Sequence, residues 1–77
     1  MNKYNAKGLK EGYWEFSRES GHRYTGNYIN GKKFGEWKCY HPNGTLNFIA
    51  NYIKSLEVGY CVVYSDKGIK FQEKFTL

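Results

Sequence analysis

The feature that most constrains this chain is an internal repeat anchored on glycine. A glycine recurs at intervals of 23 and then 24 residues, and a second glycine follows each of these nine residues later. The two sets are Gly12, Gly35 and Gly59, and Gly21, Gly44 and Gly68. Self-similarity of this period is typical of stacked, equivalent supersecondary units. The sequence therefore predicts a single repeat domain over 1–77, with units at about 12–34, 35–58 and 59–77 and a partial unit at 4–11.

Each unit has the pattern of a strand, a turn and a second strand. Trp14 and Phe16 alternate along the chain with Tyr13 and Glu15, which is the period of two expected for a strand. The segment 41–44 has Pro at its second position and Gly at its fourth, as a type I turn favours. The local chemistry therefore predicts hairpins.

The predicted fold is all-β, a single antiparallel meander of about six strands built from hairpin repeats, with almost no helix. Asn30-Gly31 supports it, because Asn-Gly is a strong signal for a two-residue hairpin turn. The extra residue of the second interval lies between Gly44 and Phe48, where we expect a β-bulge to absorb it. The predicted strands are 12–18, 22–29, 35–40, 45–53, 59–64 and 69–76.

Length and composition are consistent with one small folded domain. The chain has 77 residues, enough for one domain, and 19% aromatic residues, too many for a disordered tail. Its start shows no apolar stretch typical of a secretory signal, so we expect a cytoplasmic protein. Cys39 and Cys61 are predicted to lie on strands separated by a third strand, about 10 Å apart. Because a disulfide needs closer Cα atoms, we expect two free thiols.

One unit carries the clearest motif, and the others repeat its glycine and aromatic positions. It reads Gly35-Glu36-Trp37-Lys38-Cys39-Tyr40-His41-Pro42-Asn43-Gly44. This pattern resembles the MORN-type repeat, in particular the bacterial variant found in proteins often labelled antitoxin components. The resemblance covers the chain from about Gly8 to Phe75, with Cys61 in place of Trp in the third unit. It implies an open, elongated β-meander that binds proteins or, in some members, membranes, and it implies no catalytic residues.

Strand alternation assigns the side chains to two faces of the sheet. We expect the core to form on one face, from Trp14, Phe16, Tyr24, Tyr28, Trp37, Cys39, Phe48, Tyr52, Cys61, Val63, Phe71 and Phe75. In the C-terminal half, we expect an apolar patch on the other face, from Tyr40, Ile49, Ile53, Tyr60, Val62 and Tyr64. Large exposed patches usually mark binding sites, so these six are the predicted partner-binding residues. Alternatively, the N-terminal residues fold over them or the sheet curls to bury them.

The formal charge of +5 favours anionic partners in general. We expect a basic rim beside the patch, from Arg18, Arg23, Lys32 and Lys33. Basic residues interleaved with aromatics also occur in proteins that bind single-stranded nucleic acid, so a nucleic-acid binder that uses its basic turns and aromatic face is an alternative. A structural homodimer closed through the patch is another. An anionic membrane surface is the least favoured partner.

The sequence shows no arrangement typical of catalysis. The carboxylates show no pairing on a predicted buried face, His22 and His41 border turns, and no phosphate loop, nucleophile elbow or metal-ligand spacing is present. We therefore expect no catalytic residues, no cofactor and no metal. The predicted function is a small module that acts stoichiometrically on a partner protein, as an antitoxin, an inhibitor or an adaptor. A host antitoxin and a phage-encoded inhibitor of a host defence protein both fit this description.

Overall fold

The computed structural model describes residues 2–76, apart from the side chains of residues 71 and 76. They form one antiparallel sheet in which each strand pairs with its neighbours in the chain. The strands are β1 (Lys3–Tyr4), β2 (Lys10–Ser17), β3 (Arg23–Ile29), β4 (Lys32–Tyr40), β5 (Leu46–Ile53), β6 (Leu56–Tyr64) and β7 (Lys70–Thr76). The predicted all-β meander is confirmed. It has seven strands where about six were predicted, and the additional strand is β1, at the partial unit. Within the described residues, no helix is long and apolar enough to cross a membrane.

Three strands begin earlier than the sequence pattern predicts. The glycines expected to open them, Gly12, Gly35 and Gly59, lie inside β2, β4 and β6 with φ of 78°, 76° and 72°. These positive values favour glycine, which has no Cβ to clash in this conformation. Beside Gly35 and Gly59, the register with the preceding strand also shifts. Each glycine therefore distorts a continuous strand instead of ending one.

The turns repeat the same hydrogen bonds along the chain. In 18–22, 41–45 and 65–69, the first residue donates its N–H to the carbonyl of the fifth and accepts one from the N–H of the fourth, at 2.7–2.9 Å. Segment 5–9 makes the same two bonds. The extra residue of the second unit is absorbed where predicted, because Cys39 pairs with Phe48 while Tyr40 pairs with Leu46.

The sheet is a single layer with its core on one face, which we call the aromatic face. The principal-axis extents are 42 × 31 × 15 Å. The buried rings are Trp14, Tyr28 and Trp37, against which Phe16, Tyr24 and Tyr52 pack. Gly26 makes room for them, because a Cβ on this residue would overlap the indole of Trp37. Ring packing on one face thus replaces the second layer that most domains use to bury a sheet.

The prediction that Phe75 belongs to the core face is wrong. Phe75 pairs with Tyr60 on the opposite face and is 72% exposed. The register of β6 and β7 shifts between Val63 and Tyr64, so the third unit also contains an extra residue. A one-residue shift moves every following side chain of a strand to the other face. The prediction for Phe71 concerns its side chain, which is outside the part of the chain that the structure describes.

The two cysteines lie as predicted, on strands separated by a third. Cys39 is in β4 and Cys61 is in β6, with β5 between them. Both are buried and free. They therefore contribute small apolar groups to the aromatic face.

Candidate functional site

The six predicted partner-binding residues share the face opposite the aromatic face. Ile49 of β5 pairs directly with Val62 of β6, and paired residues of antiparallel strands point to the same side. Strand alternation adds Ile53 on β5, and Tyr60 and Tyr64 on β6. Tyr40 joins them from the end of β4. The meander therefore brings all six to one surface over β4–β6.

These six residues differ in how much surface they offer. Ile53 and Tyr60 are 53% and 40% exposed, whereas Val62 is only 4% exposed. Tyr40, Ile49 and Tyr64 are half-buried. Val62 therefore supports the surface from beneath and leaves almost no area for a partner.

The structure adds two exposed side chains that sequence reasoning missed. Leu56 pairs with Ile53 and is 70% exposed, and Phe75 pairs with Tyr60 and is 72% exposed. Leu56 was missed because β6 was predicted to begin at Gly59, although its alternation with Tyr60 was visible in the sequence. The six residues predicted from the sequence are therefore not the set that is most exposed. From here on, the name apolar patch means the four exposed side chains Ile53, Leu56, Tyr60 and Phe75.

Polar groups border the apolar patch on β7. The hydroxyl of Tyr60 donates a hydrogen bond to Glu73, and Lys70 Nζ lies 3.0 Å from Glu73 Oε1. The hydrogen bond from Tyr60 and then the contacts with Lys70 lower the pKa of Glu73 below its ordinary value. The same hydrogen bond is the main cause of a raised pKa at Tyr60. At neutral pH, this border therefore carries a carboxylate that is already paired.

The basic residues predicted as a rim lie on both faces. Arg23 lies on the face of the patch, with its guanidinium 4.6 Å from the ring centroid of Tyr40. Lys32 is exposed and pairs with Ile29 at the start of β4. Arg18 and Lys33 do not border the patch, because their charged groups lie over rings of the aromatic face. That part of the rim prediction is wrong, since the bordering residues were assigned from the turns and not from the strand faces.

Two lysines cover the aromatic face at equivalent positions of the repeat. Lys10 Nζ lies 5.3 Å and 5.0 Å from the ring centroids of Trp14 and Tyr28. Lys33 Nζ lies 5.2 Å and 4.9 Å from those of Trp37 and Tyr52. Lysines in this position shield the rings and gain cation–π attraction.

The charges on this face repel one another. Burial, and then the positive charges of Arg18 and Lys10, lower the pKa of Lys33 below its ordinary value. Trp37 is nevertheless only 2% exposed and Trp14 only 7%. The indoles of the first two units are therefore covered, and neither is free to stack with a base.

The sequence was compared with protein-family models and with curated proteins, and nothing in either set matches this chain.

Proposed function

We propose that this chain is a non-catalytic module that binds another protein through the apolar patch. The observation that carries the proposal is the exposure of four large apolar side chains on neighbouring strands, Ile53, Leu56, Tyr60 and Phe75. The four form two cross-strand pairs, Ile53 with Leu56 and Tyr60 with Phe75. Exposed apolar groups on one face are typical of interfaces, and aromatic residues are enriched there. The paired carboxylate of Glu73 lowers the cost of covering the patch, because a partner need not desolvate an isolated charge.

The proposal includes the role expected from the resemblance to MORN-type repeats. A stoichiometric antitoxin, inhibitor or adaptor needs a contact surface and no reacting groups, and the patch is such a surface. Two free, buried cysteines are compatible with the reducing cytoplasm as its location. The nucleic-acid alternative has less support, because bases stack on open rings and Trp14, Tyr28 and Trp37 are buried.

The test is quantitative capture from lysate of the source cells, with the immobilised chain and a Leu56→Ser/Phe75→Ser variant. Both side chains are at least 70% exposed, so their loss should leave the fold intact. We expect the variant to capture a stoichiometric partner at least about tenfold less efficiently than the unmodified chain, because interface anchors carry most of the binding free energy. The matched control is Leu9→Ser/Ile69→Ser, which removes two exposed apolar side chains outside the patch.

The control should retain the partner as the unmodified chain does. Circular dichroism of all three proteins verifies the fold. A folded patch variant that captures the same partner as efficiently as the unmodified chain would show that the patch is not the binding surface.

A further inference from the structure

Three positions of the repeat can be compared directly across the sheet. In β1–β2, β3–β4 and β5–β6, the pairs Tyr4 with Lys10, Tyr28 with Lys33 and Tyr52 with Glu57 occupy equivalent places. A third equivalent position, four residues after Lys10, Lys33 and Glu57, holds Trp14, Trp37 and Cys61. The last unit therefore has a carboxylate in place of an ammonium and a thiol in place of an indole.

In the earlier units, the tyrosine and the tryptophan pack edge to face. The ring centroids of Tyr4 and Trp14 are 5.2 Å apart at 82°, and those of Tyr28 and Trp37 are 4.9 Å apart at 76°. Tyr52 has no such tryptophan, because the equivalent residue is Cys61. One edge-to-face partner of the repeat is therefore missing at Tyr52.

A groove of about 230 Å³ lies at this position on the aromatic face. Its lining is Phe48, Ala50, Tyr52, Glu57, Cys61, Val63, Gln72 and Lys74. Ala50 and Cys61 are buried. Burial, and then the hydrogen bond and negative charge of Glu57, raise the pKa of the Cys61 thiol, so the thiol is uncharged at neutral pH. Small-molecule sites usually measure about 300–1,000 Å³. The volume therefore suits a single inserted side chain better than a cofactor.

Glu57 contacts the Cys61 thiol through its carboxylate and gives the groove one buried acceptor atom, Oε2. Its Oε2 atom is buried and makes no hydrogen bond with any described residue, and the nearest cation, Lys74 Nζ, is 3.9 Å away. A buried acceptor without a donor is unfavourable, so a ligand that donates a hydrogen bond there would be stabilised. Lys74 could then lie over the face of an aromatic ligand, as Lys10 and Lys33 lie over their own rings.

We propose that this groove receives a tryptophan side chain from the partner protein. The indole packs against Tyr52 in place of the missing ring of the repeat, and its N–H donates to Glu57 Oε2. This assignment rests on the proposed function in that the ligand belongs to a protein. Cys61 and Lys74 of the groove lie on β6 and β7, whose opposite face carries Tyr60 and Phe75, so the partner would enclose the outer strand β7.

The groove can be tested without the partner, with N-acetyltryptophanamide as the probe. We expect saturable amide shifts in ¹H–¹⁵N spectra of the unmodified chain, centred on Ala50, Glu57 and Cys61. Glu57→Leu removes the acceptor and should weaken binding at least about tenfold, as the loss of a hydrogen bond to a charged group does. The matched control is Glu36→Leu, which removes a carboxylate from the opposite face and should leave the affinity unchanged.

Two further probes separate the possible occupants. N-acetylphenylalaninamide has a ring without a donor and should bind more weakly than the tryptophan probe. Butylammonium mimics a lysine side chain, and binding of this probe in preference to the tryptophan probe would overturn the assignment. Absence of shifts in the groove, or equal affinity of the Glu57→Leu and Glu36→Leu variants, would overturn it as well. None of these outcomes affects the capture experiment, which tests the apolar patch independently.

Discussion

Tyr60 brings an apolar ring and a hydrogen-bonding group to the same surface. Its ring centroid lies 6.3 Å from that of Phe75, while its hydroxyl donates to Glu73. Lys70 binds the same carboxylate, so one tyrosine joins the apolar patch to its polar border. Tyrosine is favoured at interfaces for this combination of properties.

We expect Tyr60→Phe to raise the pKa of Glu73 toward its ordinary value of 4.5. The hydroxyl stabilises the carboxylate form, and the phenylalanine ring keeps the apolar contact. The measurement is the titration of the Glu73 side-chain carboxyl carbon by NMR. Tyr13→Phe, on the same face of the distant strand β2, is the control and should leave the titration unchanged.

The sign of the pH effect follows from the lowered pKa. Because the folded state holds Glu73 below its ordinary pKa, its contribution to stability is present above pH 4.5 and is lost as the pH falls through the folded value. An unchanged Glu73 titration in Tyr60→Phe would mean that the hydroxyl does not hold the carboxylate in solution.

At the scale of the strand, two glycines of β3 and β4 serve different purposes. Gly26 has ordinary backbone angles, but the Trp37 ring occupies the space of its missing side chain. Gly35 has φ of 76° and open space around the position of a Cβ. The first glycine is required by packing and the second by backbone conformation.

We expect Gly26→Ala to lower the free energy of unfolding by about 3 kcal/mol, because Trp37 is nearly fully buried and cannot move aside. Gly35→Ala should lower it by about 1 kcal/mol, since only the left-handed backbone is strained. Urea unfolding followed by circular dichroism measures both. Equal losses would show that the fit of the indole against β3 is not specifically required.

The sequence predicts the strands and their faces wherever the repeat spacing is regular. Trp14, Trp37 and Cys39 are buried on the predicted face because period-two alternation determines side-chain direction. Phe75 could not be assigned to the correct face. The bulge opposite Val63 and Tyr64 reverses the alternation of β7, and no residue type in this segment of the sequence indicates a bulge. The low exposure of Val62 could not be predicted from the sequence either, because it depends on how side chains of the neighbouring strands cover this residue.

At the scale of the molecule, the two halves of the sheet differ in completeness. In the N-terminal half, Lys10 and Lys33 cover Trp14 and Trp37 on the aromatic face. The other face there mixes polar side chains such as Glu15 with the exposed Tyr13 and Ile29. In β5–β7, one face has a groove and the other has the apolar patch. A single layer has no second sheet to cover either surface. We therefore propose that the partner binds to the C-terminal half.

Our central proposal is that a different protein, and not a second copy of this chain, covers the apolar patch. Sedimentation velocity at micromolar concentrations tests it most directly, with the unmodified chain and the Leu56→Ser/Phe75→Ser variant. We expect both proteins to sediment as a single species with the mass of one chain. A stable dimer of the unmodified chain that the variant fails to form would contradict the claim, because the patch would then serve self-association.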